Sequence, residues 1–177
     1  QKTGGASVYW MELTKRLKKF ESVTFFESTN NNIFRNEIEI DTICETKLAL
    51  LLFRYLPFLK KIDQKSIFHS SHYRISLSKN AVNITTVHDF TYEYFRRGLP
   101  RIVHSWQKRN AIKNSDGIIC VSENTKKDLI KFMPSINIEK IKVIYNGVND
   151  VYRPLVNKKN ILTGQFEGLN RKYILFV

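Results

Sequence analysis

A histidine and an aspartate follow a short apolar run in the middle of the chain. His88 and Asp89 come directly after Ile84–Val87, which is typical of a buried β-strand. At the carboxyl ends of parallel strands, side chains project into the ligand crevice of an open α/β sheet. A histidine there can donate a hydrogen bond to a ligand hydroxyl or to a developing charge. Asp89 can orient the imidazole of His88 or cap the next segment. We take both as catalytic candidates, with a structural histidine and a turn aspartate as the alternative.

A second histidine motif ends another predicted strand. His72 and Tyr73 follow the run Ser66–His69, so they could line the same crevice, although polar residues at a strand end often form only a turn. They are candidates for an acceptor or cleft role. Neither of these two histidine motifs has a further metal ligand at short spacing, so the sequence predicts no metal site.

Two glycines stand at the start of an amphipathic helix. Gly4 and Gly5 precede apolar residues spaced by three and four, namely Ala6, Trp10, Leu13, Leu17 and Phe20. Glycines let a backbone approach a ligand closely, and the free N–H groups of a helix N-terminus attract phosphate. An ordinary turn is the alternative.

The stretch 116–149 has the pattern of a crossover unit. Ile118–Val121 and Ile141–Tyr145 are strand-like, and a charged helix between them begins after Ser122. Ser122 is suited to cap that helix, and Asn146-Gly147 predicts a turn. Strand, helix and strand of this length are typical of a parallel sheet.

The remaining segments alternate in the same way. We predict a strand at Val23–Phe26, a polar loop at 28–41, an apolar helix at 42–56, a basic helix at Arg101–Ser115 and a last strand at Tyr173–Val177. The fold class is therefore α/β, with a Rossmann-like, doubly wound and mainly parallel sheet.

The charge balance favours anionic partners. The 177 residues carry 29 Lys and Arg against 16 Asp and Glu, a net charge of +13. Six basic residues and no acidic one lie between Arg96 and Lys113, interleaved with aromatic residues. A solvated helix face, docking on an anionic membrane or acceptor, and nucleic-acid binding all remain open.

The cysteines and the ends of the chain bear on its cellular context. Cys44 and Cys120 do not suggest a disulfide framework, and Cys120 in an apolar strand is typical of a buried thiol, so we expect a reducing, cytoplasmic setting. The longest apolar run is far shorter than a bilayer span. Because the chain opens at Gln1 as in mid-loop and ends in a strand, we expect a fragment lacking sequence at both ends.

Four short motifs occur in one order along the chain: Gly4-Gly5, His88-Asp89, Val121-Ser122 and Asn146-Gly147-Val148. This series resembles the N-terminal domain of GT-B glycosyltransferases of the large retaining family 4 type. The resemblance implies an acceptor-side domain at 1–155 whose first strand lies upstream, a connector at 156–171, and the first strand of an absent donor-binding domain at 172–177.

The resemblance also implies a function. A hexosyltransferase of this type moves a sugar from a nucleotide-sugar donor to a saccharide or lipid-linked acceptor, as in surface polysaccharide synthesis. Gly4 and Gly5 would face the donor diphosphate, His88 would lie beside the transferred sugar, and Ser122 and Asn146-Gly147 would lie near the cleft.

Further expectations follow from the same resemblance. No cofactor or metal is needed, because the nucleotide-sugar is a substrate, and the fragment alone would be inactive. The protein would be cytoplasmic, with peripheral docking at the inner face of the membrane as a further expectation. The alternatives are a basic nucleic-acid-binding α/β domain, or another Rossmann-like nucleotide-sugar enzyme.

Overall fold

A computed structural model describes residues 4–27, 32–45 and 55–148. The chain divides into two compact units, Gln1–Asn146 and Gly147–Val177, and most of the second lies outside the described residues. The predicted domain limits at 155 and 171 and the predicted strand at 173–177 also lie outside them, so they stay predictions.

Strands and helices alternate along the described chain. The strands are β1 (Phe25–Glu27), β2 (Thr42–Cys44), β3 (Ser66–His69), β4 (Ala81–Val87), β5 (Gly117–Cys120) and β6 (Ile141–Val143). The α-helices are α1 (Gly5–Leu17), α2 (Thr91–Phe95), α3 (Leu99–Lys113) and α4 (Glu123–Phe132). Two short 3₁₀ helices span Ile33–Glu37 and Ile138–Lys140.

Every strand pair in these regions is parallel. β3, β4, β5 and β6 form one sheet in that order, and β1 pairs with β2 in a second, two-stranded sheet. The predicted α/β, Rossmann-like parallel arrangement is confirmed. Because parallel strands share an edge for their carboxyl ends, the residues after β3, β4 and β5 come together at one side of the sheet.

The main core lies where α3 and α4 pack on β4, β5 and β6. Its members are the buried apolar residues Val87, Phe90, Ile112, Ile118, Cys120, Leu129, Met133 and Ile141. The predicted burial of Cys120 is confirmed, and burial raises the pKa of its thiol to about 11. This core fixes the end of β4, from which His88 extends.

The helix predicted for residues 42–56 is wrong at its start. Thr42–Cys44 forms β2 and pairs with Phe25–Glu27. The β-branched Thr42 and Ile43 favour an extended chain, and the neighbouring strand supplies hydrogen bonds that local periodicity does not reveal. Residues 46–54 lie outside the described part of the chain. Within the predicted loop 28–41, Ile33–Glu37 forms a 3₁₀ helix capped by the Asn32 side chain.

The turn predicted at Asn146-Gly147 is also wrong. The ladder of β6 continues to Ile144, whose N–H donates to the Cys120 carbonyl at 2.9 Å, and residues 144–148 then run exposed without an assigned turn. Gly147 does not take a positive φ, so the conformational freedom that makes Asn-Gly a turn signal is not used here.

A buried ion pair joins α2 and α3 to the end of β4. Lys108 Nζ donates to Glu93 Oε2 at 2.9 Å and to the Asp89 carbonyl at 2.8 Å, and it lies 4.4 Å from the centroid of the Phe90 ring. Lys108 and Glu93 are almost wholly buried. The ammonium therefore holds together the short helix, the long helix and the backbone immediately after His88.

We predict that Lys108→Met destabilises the fold by about 3–5 kcal/mol, because it leaves the Glu93 carboxylate buried without its cation. The double variant Lys108→Met/Glu93→Leu should recover most of that loss. Urea unfolding followed by circular dichroism measures both. Arg16→Met is the matched control, because it breaks an exposed ion pair with Glu12 and should cost no more than about 1 kcal/mol. Equal costs for Lys108→Met and Arg16→Met would contradict the role of the buried pair.

Candidate active site

His88 lies at the carboxyl end of β4, one residue beyond the buried Val87. The β-branched run Ile84–Val87 favours the strand, and the strand ends because Asp89 Oδ1 accepts a hydrogen bond from the Thr91 N–H at 2.9 Å. Asp89 is exposed and His88 is half-buried. The side chain of Asp89 thus binds the first N–H of α2, whose N-cap residue, Phe90, makes no side-chain cap.

A cluster of polar and aromatic side chains surrounds His88 across three elements. His69 Nε2 and Thr86 Oγ1 are 2.9 Å apart, and Tyr9 Oη lies 3.5 Å from the same Thr86 oxygen. The ring of Tyr9 meets that of His88 edge-on, with centroids 4.9 Å apart, and Trp10 meets His69 at 4.7 Å. The second turn of α1 therefore packs over the carboxyl ends of β3 and β4.

Two buried polar atoms in this cluster have no hydrogen-bond partner within the described residues. They are His88 Nε2 and Trp10 Nε1. An unpaired buried donor or acceptor costs about 1–3 kcal/mol, so such atoms are rare in a fold unless a ligand or water completes them. Both lie beside Tyr9, and they mark the place where a polar ligand group would be accommodated.

Both imidazoles of the cluster are held neutral. Burial, with a smaller contribution from the neighbouring His88, lowers the pKa of His69 to about 4. Burial also lowers the pKa of His88, although the charge of Asp89 acts in the opposite direction. At neutral pH, His88 is therefore a neutral hydrogen-bonding group, one of whose ring nitrogens can donate and the other accept.

The backbone around His88 is fixed from two sides. The Thr125 hydroxyl donates to the His88 carbonyl at 3.2 Å, and Lys108 Nζ donates to the next carbonyl, that of Asp89. Ser122 caps α4 by accepting from the Thr125 N–H at 3.0 Å. Ser122 thus acts on His88 through Thr125, as part of the scaffold.

Gly4 and Gly5 form the start of α1. The Gly4 carbonyl accepts from the N–H groups of Ser7 and Val8, and no side chain caps this N-terminus. Gly4 has a φ of 132°, which a side chain would strain. A Cβ added to Gly5 would meet no atom within 4 Å. Gly5 lies one helical turn before Tyr9, on the same face of α1.

The other candidates lie in different settings. His72 is exposed in the loop after β3, and its carbonyl accepts from Gln107 Nε2 at 3.0 Å. Tyr73 adopts a left-handed conformation with φ of 49°, and burial together with Asp89 and Glu93 raises the pKa of its hydroxyl. Its ring meets that of His104 at 5.7 Å, and Lys108 Nζ lies 5.8 Å from its centroid, so Tyr73 packs against α3. Asn146 and Gly147 are exposed after β6.

Sequence reasoning did not select Tyr9, Trp10, His69 or Thr86 as site residues. Two signals were present. Gly5 and Tyr9 are separated by four residues and so share a helix face, and Thr86 and His88 are separated by two, as residues on one face of a strand are. The packing of α1 on β4 joins these faces, and it links residues that are 77 positions apart.

Neither a metal-ligand cluster nor a membrane-spanning helix is present in the described ranges. They contain no group of three or more His, Cys, Asp or Glu side chains arranged to hold a metal ion. None of the helices found there combines the length and the apolar character that crossing a membrane requires.

We predict that lowering the pH from about 6.5 to about 4 destabilises the fold through His69. Its folded pKa of about 4 lies below the ordinary 6.5, so the unfolded chain binds the proton more tightly and stability is lost as the pH falls through this window. The loss is up to about 3 kcal/mol. It should shrink in His69→Gln and persist in His72→Gln, as measured by urea unfolding across the pH range. Identical slopes in the wild type and His69→Gln would contradict it.

Comparison with known proteins identifies two relatives. A stretch of 94 residues, 52% of this chain, is 32% identical to the UDP-Gal:alpha-D-GlcNAc-diphosphoundecaprenol alpha-1,3-galactosyltransferase of Escherichia coli and covers 24% of that protein. A stretch of 78 residues, 42% of the chain, is 28% identical to the alpha-maltose-1-phosphate synthase of Mycolicibacterium smegmatis (strain ATCC 700084 / mc(2)155) and covers 20% of it. The chain thus aligns with about a quarter or less of each relative's length.

A family-wide sequence profile gives the broader match. The profile described as Glycosyltransferase Family 4 matches residues 3–151, which include Gly4, Gly5, His88, Asp89 and Ser122. This range contains the described strands β1 to β6 and the cluster around His88. The resemblance that the motifs indicated is therefore confirmed, and the chain belongs to glycosyltransferase family 4.

Proposed function

We propose that this chain is the acceptor-side domain of a retaining glycosyltransferase, which transfers a hexose from a nucleotide-sugar donor to a saccharide or lipid-linked acceptor. The observation that carries the proposal is His88 Nε2, which is buried and unpaired beside Tyr9 at the carboxyl end of β4. A family 4 domain with an unsatisfied neutral imidazole at this edge is suited to bind a sugar hydroxyl. The role of His88 is to position the transferred sugar.

The first turn of α1 is suited to the donor diphosphate. The helix N-terminus carries partial positive charge and N–H groups that have no partner inside the helix. No acidic residue lies in this first turn, and no side chain occupies the cap. Gly5 adds no side chain, so an anion could approach the backbone closely. The diphosphate would then lie one helical turn from the Tyr9 and His88 rings.

The proposed chemistry exchanges one bond at the anomeric carbon for another. The bond from the sugar C1 to the diphosphate oxygen breaks, and the bond from C1 to the acceptor oxygen forms on the same face. The acceptor proton passes to the departing diphosphate oxygen. Because negative charge develops on the diphosphate, the α1 amides would stabilise it, and the neutral His88 ring would hold the sugar hydroxyl in position.

Two observations bear on the substrates. The name of the Escherichia coli relative contains a nucleotide-sugar donor, UDP-Gal, and an acceptor sugar on a lipid diphosphate. The net charge of +13 on this chain suits anionic substrates of both kinds. We infer a nucleotide-sugar as donor, with a sugar carried by a lipid diphosphate as the first acceptor to examine.

His88→Ala should lower kcat by roughly 10²- to 10³-fold with a smaller change in the donor KM, because the lost hydrogen bond strengthens as charge develops. The assay measures nucleotide release by the full-length protein from a panel of nucleotide-sugars, beginning with UDP-galactose, with a sugar carried by a lipid diphosphate as the acceptor. His88→Asn keeps a hydrogen-bonding group and should retain part of the activity.

His104→Gln is the matched control, because this histidine lies on α3, where its ring stacks on Tyr92 with centroids 4.0 Å apart and meets Tyr73 at 5.7 Å. It should leave kcat near the wild-type value. A wild-type kcat in folded His88→Ala would remove His88 from the mechanism. Failure of the wild type to turn over any nucleotide-sugar would overturn the proposed function itself.

Gly5→Ala separates ligand binding from folding. The added methyl meets no protein atom within 4 Å, and alanine favours a helix more than glycine does, so thermal stability should be unchanged or slightly higher. If the α1 amides bind the diphosphate, the methyl obstructs it and the donor KM should rise by about tenfold or more, a loss of about 1.4 kcal/mol. An unchanged KM in this variant would place the diphosphate elsewhere.

A further inference from the structure

Trp10 is the second aromatic residue that α1 places over the carboxyl ends of the strands. Tyr9 and Trp10 are consecutive in the helix, so their side chains point about 100° apart around its axis. The Tyr9 ring meets that of His88, directly after β4. The Trp10 ring meets that of His69, the last residue of β3, with centroids 4.7 Å apart. One turn of α1 therefore covers two neighbouring strand ends.

The indole N–H of Trp10 is buried without a partner. Among the described residues, no atom accepts a hydrogen bond from Trp10 Nε1. A buried indole N–H normally has an acceptor, because burial removes the water that it would otherwise bind. Packing of α1 on β3 does not require this group, since a phenylalanine ring would make the same kind of contact and leave no donor unpaired. The N–H is thus available to a ligand, and because indole nitrogen only donates, the ligand must supply an acceptor atom.

The groups near this N–H match an uncharged ligand that carries hydroxyls. His69 and His88 are neutral at neutral pH, because burial lowers the pKa of each ring. Tyr9 and Thr86 add hydroxyls, with 3.5 Å between Oη and Oγ1. A phosphate is bound most strongly by charged donors, whereas a sugar hydroxyl pairs with neutral donors and acceptors. The apolar C–H groups of a sugar also suit aromatic faces, so the cluster has the chemistry of a carbohydrate subsite.

We propose that Trp10 is a second sugar-binding residue, whose indole N–H donates to a hydroxyl oxygen of a sugar bound against Tyr9 and His88. This inference rests on the proposed function and extends it, because none of the four motifs that indicated the family contains Trp10. The Tyr9 ring contacts the rings of both Trp10 and His88, so both unpaired nitrogens belong to one cluster. A sugar ring carries several hydroxyls and can bind two such groups at once. The hydroxyl belongs either to the transferred sugar or to the acceptor sugar, and the kinetics distinguish the two.

Two substitutions separate the N–H from the bulk of the ring. Trp10→Phe removes the donor and keeps a six-membered aromatic ring. Trp10→His removes the benzene ring and keeps a nitrogen that can donate, because imidazole Nε2 occupies the place of the indole nitrogen. With UDP-galactose, or the member of the panel that the wild type turns over fastest, Trp10→Phe should lower kcat/KM of the full-length protein by roughly tenfold. Trp10→His should lose less.

Trp106→Phe is the matched control. It makes the same replacement at the other tryptophan of this chain, which lies on α3 and is 58% exposed. Its kcat/KM should stay near the wild-type value. Thermal unfolding of each variant without substrate shows whether it is folded, so a loss of fold is not counted as a loss of binding.

Deoxy analogues locate the hydroxyl. Donors and acceptors that each lack one sugar hydroxyl are compared in the wild type and in Trp10→Phe. The analogue without the hydroxyl that Trp10 binds should cost the wild type roughly tenfold in kcat/KM and cost Trp10→Phe much less, because the partner is already absent. A donor analogue with this behaviour assigns the hydroxyl to the transferred sugar, and an acceptor analogue assigns it to the acceptor. This comparison needs only Trp10→Phe, so it holds even if Trp10→His does not fold.

Three outcomes would overturn the inference alone, in a wild type that transfers sugar. Equal kcat/KM for Trp10→Phe and Trp106→Phe would show that the N–H does not bind substrate. A greater loss in Trp10→His than in Trp10→Phe would show that Trp10 acts through the packing of its ring against His69. Equal costs of every deoxy analogue in the wild type and Trp10→Phe would exclude a sugar hydroxyl as the partner. Failure of the wild type to transfer any sugar is a different result, because it overturns the proposed function on which the inference rests.

Discussion

The buried contact between Lys108 and Glu93 is the constraint on which the site depends. Burying a charged amine in a core is unfavourable in free energy. Burial accordingly lowers the pKa of Lys108, even though the contact with Glu93 acts to raise it. The ammonium is retained because it does something that an apolar residue could not: it binds the Asp89 carbonyl, one residue after His88, while joining α2 to α3. The position of His88 is therefore set by a long-range electrostatic contact as well as by the end of β4. An apolar replacement could fill the same volume, but it would leave that carbonyl without its donor.

The same local order gives the imidazole its chemical character. Tyr9 and Trp10 of α1 cover the two histidines, so water is displaced and both rings are neutral at neutral pH. A neutral ring can bind a sugar hydroxyl without adding a positive charge next to the donor. The positive potential for a diphosphate would come instead from the start of α1, one turn earlier. The helix α1 thus covers the cluster around His88 and also provides the proposed anion-binding end. The geometry of the site therefore depends more on the packing of α1 on β4 than on any single side chain.

The sequence predicted what depends on local pattern. The parallel sheet, the start of α1 at Gly5 and the location of His88 at a strand end all follow from periodicity and strand-end logic, and the structure agrees. Contacts between residues that are far apart along the chain could not be predicted from local pattern. The residues that form β2 belong to a stretch whose apolar pattern also suits a helix, and they are extended because β1 supplies a hydrogen-bonded ladder. Asn146-Gly147 has the chemistry of a turn, but Gly147 has no positive φ and no turn is assigned over residues 144–148. In the sequence, Lys108 is one of the six basic residues from Arg96 to Lys113, and it lies in a predicted basic helix. The residues next to it do not show that its side chain pairs with Glu93. Nothing in the sequence marked Tyr9 and Trp10 as more than residues of a helix. Their contacts with His88 and His69 join residues that are far apart along the chain.

The two faces of α3 have different environments. Lys108 and Leu99 are nine residues apart, about two and a half helical turns, so they project from opposite sides of the helix. One side carries the ammonium that binds the Asp89 carbonyl, and the other carries the exposed apolar side chains of Leu99, Ile102, Val103 and Trp106. Because the buried side holds the backbone directly after His88, a change that loosens α3 also loosens the site, even where it touches no residue of the cluster.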